Sequence, residues 1–157
     1  MILDSGNRRE FDTGAVRDIE EGKGRCDLMP LGVAAKMTLK EKGEIDHVLY
    51  FLDAFIEHGS IRASWLHTAL DLFVEKAYGN ISTALLEVSK HFEEGAKKYG
   101  ENNWQKGIPV NCYIDSAVRH YLKWLRGDQD EPHDRAFVWN LMCCIWEVDR
   151  IAKNREN

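Results

Sequence analysis

Acidic side chains crowd one short segment of the sequence around Pro132. Asp130, Glu131, His133 and Asp134 fill four of five consecutive positions. Carboxylates at a helix amino terminus interact favourably with the helix dipole, by roughly 0.3–1 kcal/mol each, and this explains one or two of the three. Three carboxylates together with a histidine also favour a metal-binding or proton-transfer site. Both interpretations of the segment stay open.

A second polar group has helical spacing. Glu87, His91 and Glu94 follow one another at i, i+4 and i+7, which places them on one face of a helix. Two carboxylates and an imidazole could hold a divalent cation, and oxygen-rich coordination favours Mg²⁺ or Mn²⁺ over Zn²⁺. A solvated face on a charged helix is the alternative explanation of the same spacing.

Basic residues form a third group, in which Lys98 ends one predicted helix and Arg119, His120 and Lys123 lie on the next. A lysine at a helix carboxyl end is expected from the dipole. An arginine in mid-helix could bind a phosphate through two parallel hydrogen bonds. Asp115 lies four residues before Arg119, so an ion pair within the helix is an equally good use of that side chain.

The segment GKGR at Gly22–Arg25 has two glycines and two cations. It lacks the length and the trailing Ser or Thr of a Walker motif, so as a phosphate-binding motif it is weak. A flexible arm with Lys23 and Arg25 could still fold over a triphosphate, and a plain surface turn is the alternative.

Two further side chains need partners that local packing does not supply. Trp104 lies in a polar loop, where a core role is not obvious. Asn140 lies between Trp139 and Leu141 in an apolar helix, seven residues after His133 and therefore on the same face. A buried amide requires hydrogen-bond partners, and a binding site would provide them.

The elements that carry these residues are predicted to be helices. Apolar residues recur at helical spacing, and caps or glycines bound the segments, while no strand pattern competes. We predict an all-α fold: an irregular arm over residues 1–30, then a single domain over 31–157 with a bundle of about five helices. The predicted helices cover residues 45–58, 61–77, 81–99, 111–126 and 132–153, with Asn80 as a cap and Gly59, Gly79, Gly100 and Gly127 as stops.

Composition limits the possible classes of protein. A chain of 157 residues with 44% hydrophobic content can bury one core. The net charge of −5 argues against binding nucleic acid. The apolar stretches are far shorter than the roughly 20 residues of a membrane span, and the amino terminus does not resemble a signal peptide. The four cysteines have no paired spacing, so we expect reduced thiols in a cytoplasmic protein.

Four segments together resemble the phage and bacterial family of dATP/dGTP diphosphohydrolase amino-terminal domains. They are GKGRCDLMP at Gly22–Pro30, GAKKYGENNW at Gly95–Trp104, SAVRHYLKWLRG at Ser116–Gly127 and DEPHDRAFVWN at Asp130–Asn140. The resemblance covers the arm and roughly residues 87–149, and the segment between Thr38 and Tyr78 looks like an insertion.

This resemblance implies a relative of the MazG-like all-α pyrophosphohydrolases, which remove pyrophosphate from nucleoside triphosphates with Mg²⁺ or Mn²⁺. Of their two carboxylate motifs, ExxD is present at Glu131–Asp134. The other, EExxE, is incomplete, because Lys97 follows Glu93 and Glu94 where a third carboxylate should stand.

For the site, the resemblance implies a purine deoxynucleotide substrate and a homo-oligomer. The implied catalytic residues are Glu131, His133 and Asp134. The predicted metal ligands are Glu87, His91 and Glu94, from their helical spacing, and Asp130, Glu131 and Asp134, from the acidic segment that carries ExxD. The implied substrate-binding residues are Lys23, Arg25, Lys98, Asn103, Trp104, Arg119, His120 and Asn140.

Two alternatives to the pyrophosphohydrolase function remain open. An HD-type phosphohydrolase is suggested by the order His120, His133-Asp134, Asp149, which imitates its signature. A nucleotide-binding or interaction module without turnover is suggested by the incomplete EExxE motif.

Overall fold

Six α-helices and one short β-hairpin make up the part of the chain that the computed structural model describes, residues 5–58 and 62–156. The elements are β1 (Arg8–Glu10), β2 (Val16–Asp18), α1 (Leu31–Thr38), α2 (His47–His58), α3 (Ser64–Ala77), α4 (Ile81–Tyr99), α5 (Val110–Arg126) and α6 (His133–Glu156). Single turns of 3-10 helix cover Cys26–Leu28, Lys40–Lys42 and Asn103–Lys106. The predicted all-α class with an amino-terminal arm is confirmed. The stop predicted at Gly59 and the start predicted at residue 61 lie outside the described residues.

Helix α4 begins and ends where its caps predict. The Asn80 side chain accepts a hydrogen bond of 3.0 Å from the Thr83 amide, and Gly100 follows the last turn with φ +88°. Its apolar spacing predicts a buried stripe of Ile81, Leu85, Val88 and Phe92, and of these four residues Val88 alone is fully buried. Ala84, Val88 and His91 are the buried residues of this helix.

Ile81 and Leu85, which belonged to that predicted stripe, are 61% and 48% exposed. The buried face runs instead through Ala84, Val88 and His91, and an alanine and a histidine do not mark a buried stripe in a sequence. His91 therefore faces inward, while Glu87 and Glu94 are partly exposed at the edge of that face.

Aromatic residues join α3, α5 and α6 in the core. The rings of Phe73 and Phe137 lie 4.3 Å apart, and Tyr121 packs edge-on against Phe73. Buried apolar residues from all six helices belong to one cluster. None of the described helices combines the length and apolar character that a bilayer-spanning segment needs.

The arm is more ordered than the sequence predicts. Strands β1 and β2 pair antiparallel, with Arg9 directly opposite Arg17, and Gly14 takes a positive φ of +86° in the connecting turn. Ala15 is fully buried. The Asn103 side chain accepts from the Val16 amide at 2.9 Å and donates to its carbonyl at 2.8 Å, which ties the hairpin to the bundle.

Two predictions were wrong: the arm was predicted to be irregular but contains the hairpin, and no helix was predicted where α1 lies. Strands of three residues are too short to show the alternation that identifies a strand. Helix α1 follows Pro30 directly and has only Leu31 and Ala35 as buried residues, so its apolar face is too narrow to be recognised.

Candidate functional site

A cavity of about 760 Å³ lies between the hairpin and helices α4, α5 and α6. The arm forms one wall with Arg9, Arg17 and Lys23. The opposite wall is the face of α5 that carries Ser116 and His120, which are four residues apart and therefore on the same side of the helix. The cavity thus depends on the arm, which supplies nine of its 23 described lining residues.

The two hairpin arginines give the cavity its charge. Arg9 and Arg17 are direct cross-strand partners and both line the cavity. Like charges directly opposite each other destabilise a strand pair unless other charges compensate. Arg9 pairs with Glu20, whereas no described carboxylate lies within ion-pair distance of Arg17. The Arg17 guanidinium lies instead 5.5 Å from the ring of Tyr113 and 5.9 Å from that of Trp139.

Cations outnumber anions in the lining. Lys123 also lines the cavity and, among the described residues, has no ion-pair partner. The carboxylates Asp18 and Asp115 pair with Lys23 and Arg119 at 2.7 and 2.6 Å. Five cationic and four carboxylate side chains of the described residues line the cavity, so the lining carries a net charge of +1, which favours an anionic ligand.

Unsatisfied polar atoms concentrate at the same cavity. Among the described residues, four buried side-chain nitrogens have no hydrogen-bond partner, and all four belong to residues that line it. They are Arg9 Nε, Arg17 Nη1, His91 Nδ1 and Trp139 Nε1. Buried polar groups are nearly always hydrogen-bonded, so a set of orphans around one cavity indicates a missing partner. At least three of the four are N–H donors, so that partner offers acceptor oxygens or nitrogens.

At one end of the cavity two histidines meet a carboxylate. The Nδ1 atoms of His120 and His133 lie 2.9 Å apart. Glu131 Oε1 lies 3.7 Å from each of them. On the far side of its ring, His133 places Nε2 2.7 Å from Asp130 Oδ1. The two Nδ1 atoms and Glu131 Oε1 are close enough together to hold one metal ion.

Burial keeps the cavity histidines neutral. Desolvation lowers the pKa of His91 to about 4. Burial, reinforced by the nearby His133, lowers the pKa of His120 well below its ordinary value. Both rings therefore offer lone pairs near neutral pH, which metal ligation and hydrogen-bond acceptance both require.

Comparison with known families gives a match over residues 67–156, to the model described as "dATP/dGTP diphosphohydrolase, N-terminal". The chain belongs to this family. No curated protein and no solved structure matches the chain. The family match begins within α3, inside the segment that looked like an insertion, and it does not include the arm that carries GKGRCDLMP.

Seven of the residues predicted for the site line the cavity of this dATP/dGTP diphosphohydrolase family member. They are Lys23, His91, Asn103, Arg119, His120, Glu131 and Asn140. Several of them already have protein partners. The amide of Asn140 donates to the Ala136 carbonyl at 2.8 Å and lies 3.4 Å from Arg17 Nη2. The amide of Asn103 is used by the hairpin.

The other predicted residues lie outside the lining. Glu87 and Glu94 both face Arg135, at 3.8 Å each. Asp134 accepts a hydrogen bond of 2.8 Å from the Tyr78 hydroxyl. Arg25 pairs with Asp27 at 2.8 Å. Lys98, Asp130 and His133 are also absent from the lining, although the last two take part in the histidine–carboxylate cluster.

Trp104 packs in an aromatic cluster. Its ring lies 5.0 Å from Trp146 and 5.8 Å from Phe92, and its carbonyl accepts from the Tyr113 hydroxyl. It does not line the cavity. The helices that follow the polar loop supply the packing partners that the loop sequence alone does not reveal.

Sequence reasoning missed Arg9 and Arg17. Their segments, RRE and VRD, were read as irregular arm. The signal that could have identified them is the glycine turn between two short runs, which pairs the two arginines across a hairpin and puts them on one face.

Proposed function

We propose that this protein hydrolyses purine deoxynucleoside triphosphates such as dATP and dGTP to the monophosphate and pyrophosphate. The observation that carries the proposal is the cross-strand pair Arg9 and Arg17, which faces a cavity with unpartnered donors and the further cation Lys123. A triphosphate offers the charge and the acceptor oxygens that this lining lacks. Membership of the diphosphohydrolase family supports the same reaction.

In this proposal, each part of the cavity has a distinct task. Arg9, Arg17 and Lys123 bind phosphate oxygens and offset the negative charge that develops during the reaction. At the α4–α6 side, Trp139 Nε1 is available to donate to an acceptor on the sugar or base, and His91 Nδ1 is available for a polar group of the same ligand. The indole also provides an apolar face for a purine.

A divalent cation, Mg²⁺ or Mn²⁺, supplies charge neutralisation and acidifies a bound water in such hydrolases. Of these two ions, Mn²⁺ is the one that the residues present fit, because His120, His133 and Glu131 bring two imidazole nitrogens and one carboxylate oxygen together. Water attacks the α-phosphorus, the bond from that phosphorus to the bridging oxygen breaks, and pyrophosphate leaves. We assign acceptance of the water proton to the carboxylate of Glu131, which lines the cavity, through the oxygen other than Oε1, the atom that faces the two imidazoles.

The experiment is incubation of the purified protein with each deoxynucleoside triphosphate and Mg²⁺ or Mn²⁺, followed by chromatographic separation of the products. We expect dAMP or dGMP and pyrophosphate in equal amounts. Deoxyguanosine and triphosphate would indicate the HD-type reaction instead. Tight binding without any product would indicate a nucleotide-binding module.

We further propose that the protein acts in the cytoplasm as a homo-oligomer and binds neither nucleic acid nor membranes. Exposed apolar residues on α4 support self-association: Leu86 is 70% exposed, and Ile81 and Leu85 belong to the same surface. Light scattering coupled to size-exclusion chromatography tests this. A monomer at micromolar concentration would contradict it.

A further inference from the structure

We propose that His120, Glu131 and His133 form a three-ligand centre for a first-row transition metal ion such as Mn²⁺, bound through both Nδ1 atoms and the Glu131 carboxylate. The centre would be the metal site of the proposed nucleotide hydrolysis, and its catalytic role rests on that function. Metal binding by the centre does not depend on the proposed function. Of the metal ligands that the sequence predicts, this centre keeps only Glu131.

The distances between the ligand atoms fit a single ion. The two Nδ1 atoms lie 2.9 Å apart, and Glu131 Oε1 lies 3.7 Å from each. With metal–ligand bonds of about 2.1 Å, neighbouring ligands are separated by about 3.0 Å around an octahedral ion and about 3.4 Å around a tetrahedral one. The observed triangle spans these values, so an ion requires only small side-chain shifts.

The tautomer of His133 also suits ligation. Asp130 Oδ1 lies 2.7 Å from Nε2, and a carboxylate can only accept, so the Nε2 nitrogen carries the proton. The lone pair of Nδ1 then points toward His120 and Glu131. A ligating histidine whose other nitrogen donates to a carboxylate is a recurring arrangement around bound metals. Asp130 thereby becomes a positioning residue.

The proposed metal centre is buried on one side and open to the cavity on the other. The His133 side chain is 1% exposed and holds the ion from the protein side, whereas His120 and Glu131 line the cavity. Three protein ligands leave further coordination positions free for water or a phosphate oxygen. These positions face the same space as Arg17 and Lys123.

The donor chemistry selects the class of metal. Two imidazoles and one carboxylate suit Mn²⁺, Fe²⁺, Co²⁺ or Zn²⁺, whereas Mg²⁺ prefers oxygen ligands. Glu131 is the carboxylate of the lining that faces two imidazoles.

A competing arrangement exists on the outer side of His133. Asp128 and Asp130 approach its Nε2 closely enough to form a second possible group. Asp128, however, pairs with Arg126 at 2.5 Å, and Asp130 is 47% exposed. A metal there would be held by His133 and exposed carboxylates, outside the cavity.

Direct metal binding tests the centre without nucleotide. Metal-free full-length protein is titrated with Co²⁺, followed by visible absorption, and with Mn²⁺ and Mg²⁺, followed by calorimetry. We expect one ion of Co²⁺ or Mn²⁺ per chain, with Mn²⁺ bound at least 100-fold more tightly than Mg²⁺. Glu131→Gln and His120→Gln should each weaken binding at least 100-fold.

Asp130→Asn should weaken metal binding by about 10-fold to 100-fold, the usual effect of losing a partner that orients a ligand. Asp128→Asn is the matched control and should leave metal affinity unchanged. Circular dichroism confirms folding. Because Glu131→Gln is nearly isosteric, it remains informative if His120→Gln does not fold.

The outcomes separate the two proposals. Unchanged metal affinity in Glu131→Gln, equal affinity for Mg²⁺ and Mn²⁺, or loss of binding in Asp128→Asn would each overturn the centre. In a parallel chromatographic assay, metal binding as expected but no nucleotide hydrolysis would overturn the proposed function and leave the centre intact.

Discussion

Arg119 on α5 donates a hydrogen bond of 2.7 Å from Nη2 to the main-chain oxygen of Gly24 in the arm. Its Nε donates to the carbonyl of Lys23 at 3.2 Å. Asp115 holds the guanidinium at 2.6 Å and also accepts from the Cys26 amide at 2.5 Å. The Asp115–Arg119 pair therefore fastens the arm, and with it one wall of the cavity, to the helical bundle.

Substitution of Arg119 by lysine should loosen the arm. A lysine keeps the charge but cannot make the three hydrogen bonds in this forked geometry. We expect a loss of about 2 kcal/mol in the free energy of unfolding, because hydrogen bonds to charged groups contribute about 1.5–3 kcal/mol each and some are replaced. Trypsin should also cleave faster after Lys23 and Arg25.

Arg126→Lys is the matched control for this prediction. Arg126 lies on the same helix, has an exposed side chain and, among the described residues, pairs only with the nearby Asp128. The Arg126→Lys variant should have the same free energy of unfolding in urea and the same rate of trypsin cleavage as the original protein. Equal cleavage rates in Arg119→Lys and the control would show that Arg119 does not fasten the arm.

The fold class and most of the helix ends could be predicted from sequence, because they depend on local signals. Asn80 caps α4 and Gly127 ends α5, as the residue types indicate. The hairpin could not be predicted, because its order comes from distant contacts. Asn103 hydrogen-bonds both main-chain groups of Val16, a residue 87 positions earlier.

The candidate site could be predicted only in part. His133 and Glu131 stood out because polar residues cluster near Pro132. Their convergence with His120 depends on how α5 packs against α6, which no local pattern reports. Arg17 was missed because a single arginine in a polar segment has no distinguishing context until β2 places it beside Trp139.

Substitution of Arg17 by lysine should weaken nucleotide binding. The guanidinium packs on Tyr113 and Trp139 and leaves Nη1 without a partner, so it can offer a donor to phosphate without breaking a protein bond. Lysine lacks the planar guanidinium, and all of its N–H donors lie on a single nitrogen. We expect at least a 10-fold higher Kd for a non-hydrolysable dGTP analogue, measured by calorimetry.

Arg8→Lys provides the comparison on the same strand pair. Arg8 lies over the ring of Tyr99, is exposed and does not line the cavity. Nucleotide affinity should therefore stay within twofold of the original protein. If both variants weaken binding equally, the effect of Arg17 comes from general charge or hairpin stability and not from a contact with the ligand.

Substitution of Asp134 by asparagine should reduce stability and leave metal affinity unchanged. The carboxylate accepts the Tyr78 hydroxyl at 2.8 Å and so joins α6 to the end of α3. We expect a loss of about 1–2 kcal/mol in unfolding free energy. Tyr78→Phe should cost a similar amount.

The double variant should lose clearly less than the sum of the two, because both remove one interaction. Urea unfolding measures all three, and Co²⁺ absorption measures metal binding. Reduced Co²⁺ affinity with normal stability would instead support the metal-ligand role that the sequence suggests for Asp134.

The buried His91 should make folding sensitive to acid. Its pKa falls to about 4 in the folded protein, chiefly through desolvation, against an ordinary value of about 6.5. A depressed pKa means that the unfolded chain binds the proton first. Stability is therefore complete above about pH 6.5 and is lost as the pH falls toward 4. Glu94 opposes the shift, whereas Arg135 and Arg17 add to it.

Substitution of His91 by glutamine removes this titration at similar size. Between pH 7 and pH 4.5, the original protein should lose about 2 kcal/mol more unfolding free energy than His91→Gln, from the roughly 1.4 kcal/mol per pKa unit that links the two. Urea unfolding at both pH values measures the difference. Carboxylates titrate equally in the two proteins, so their contribution cancels. Equal losses in both would mean that His91 is protonated in the folded protein as readily as in the unfolded chain.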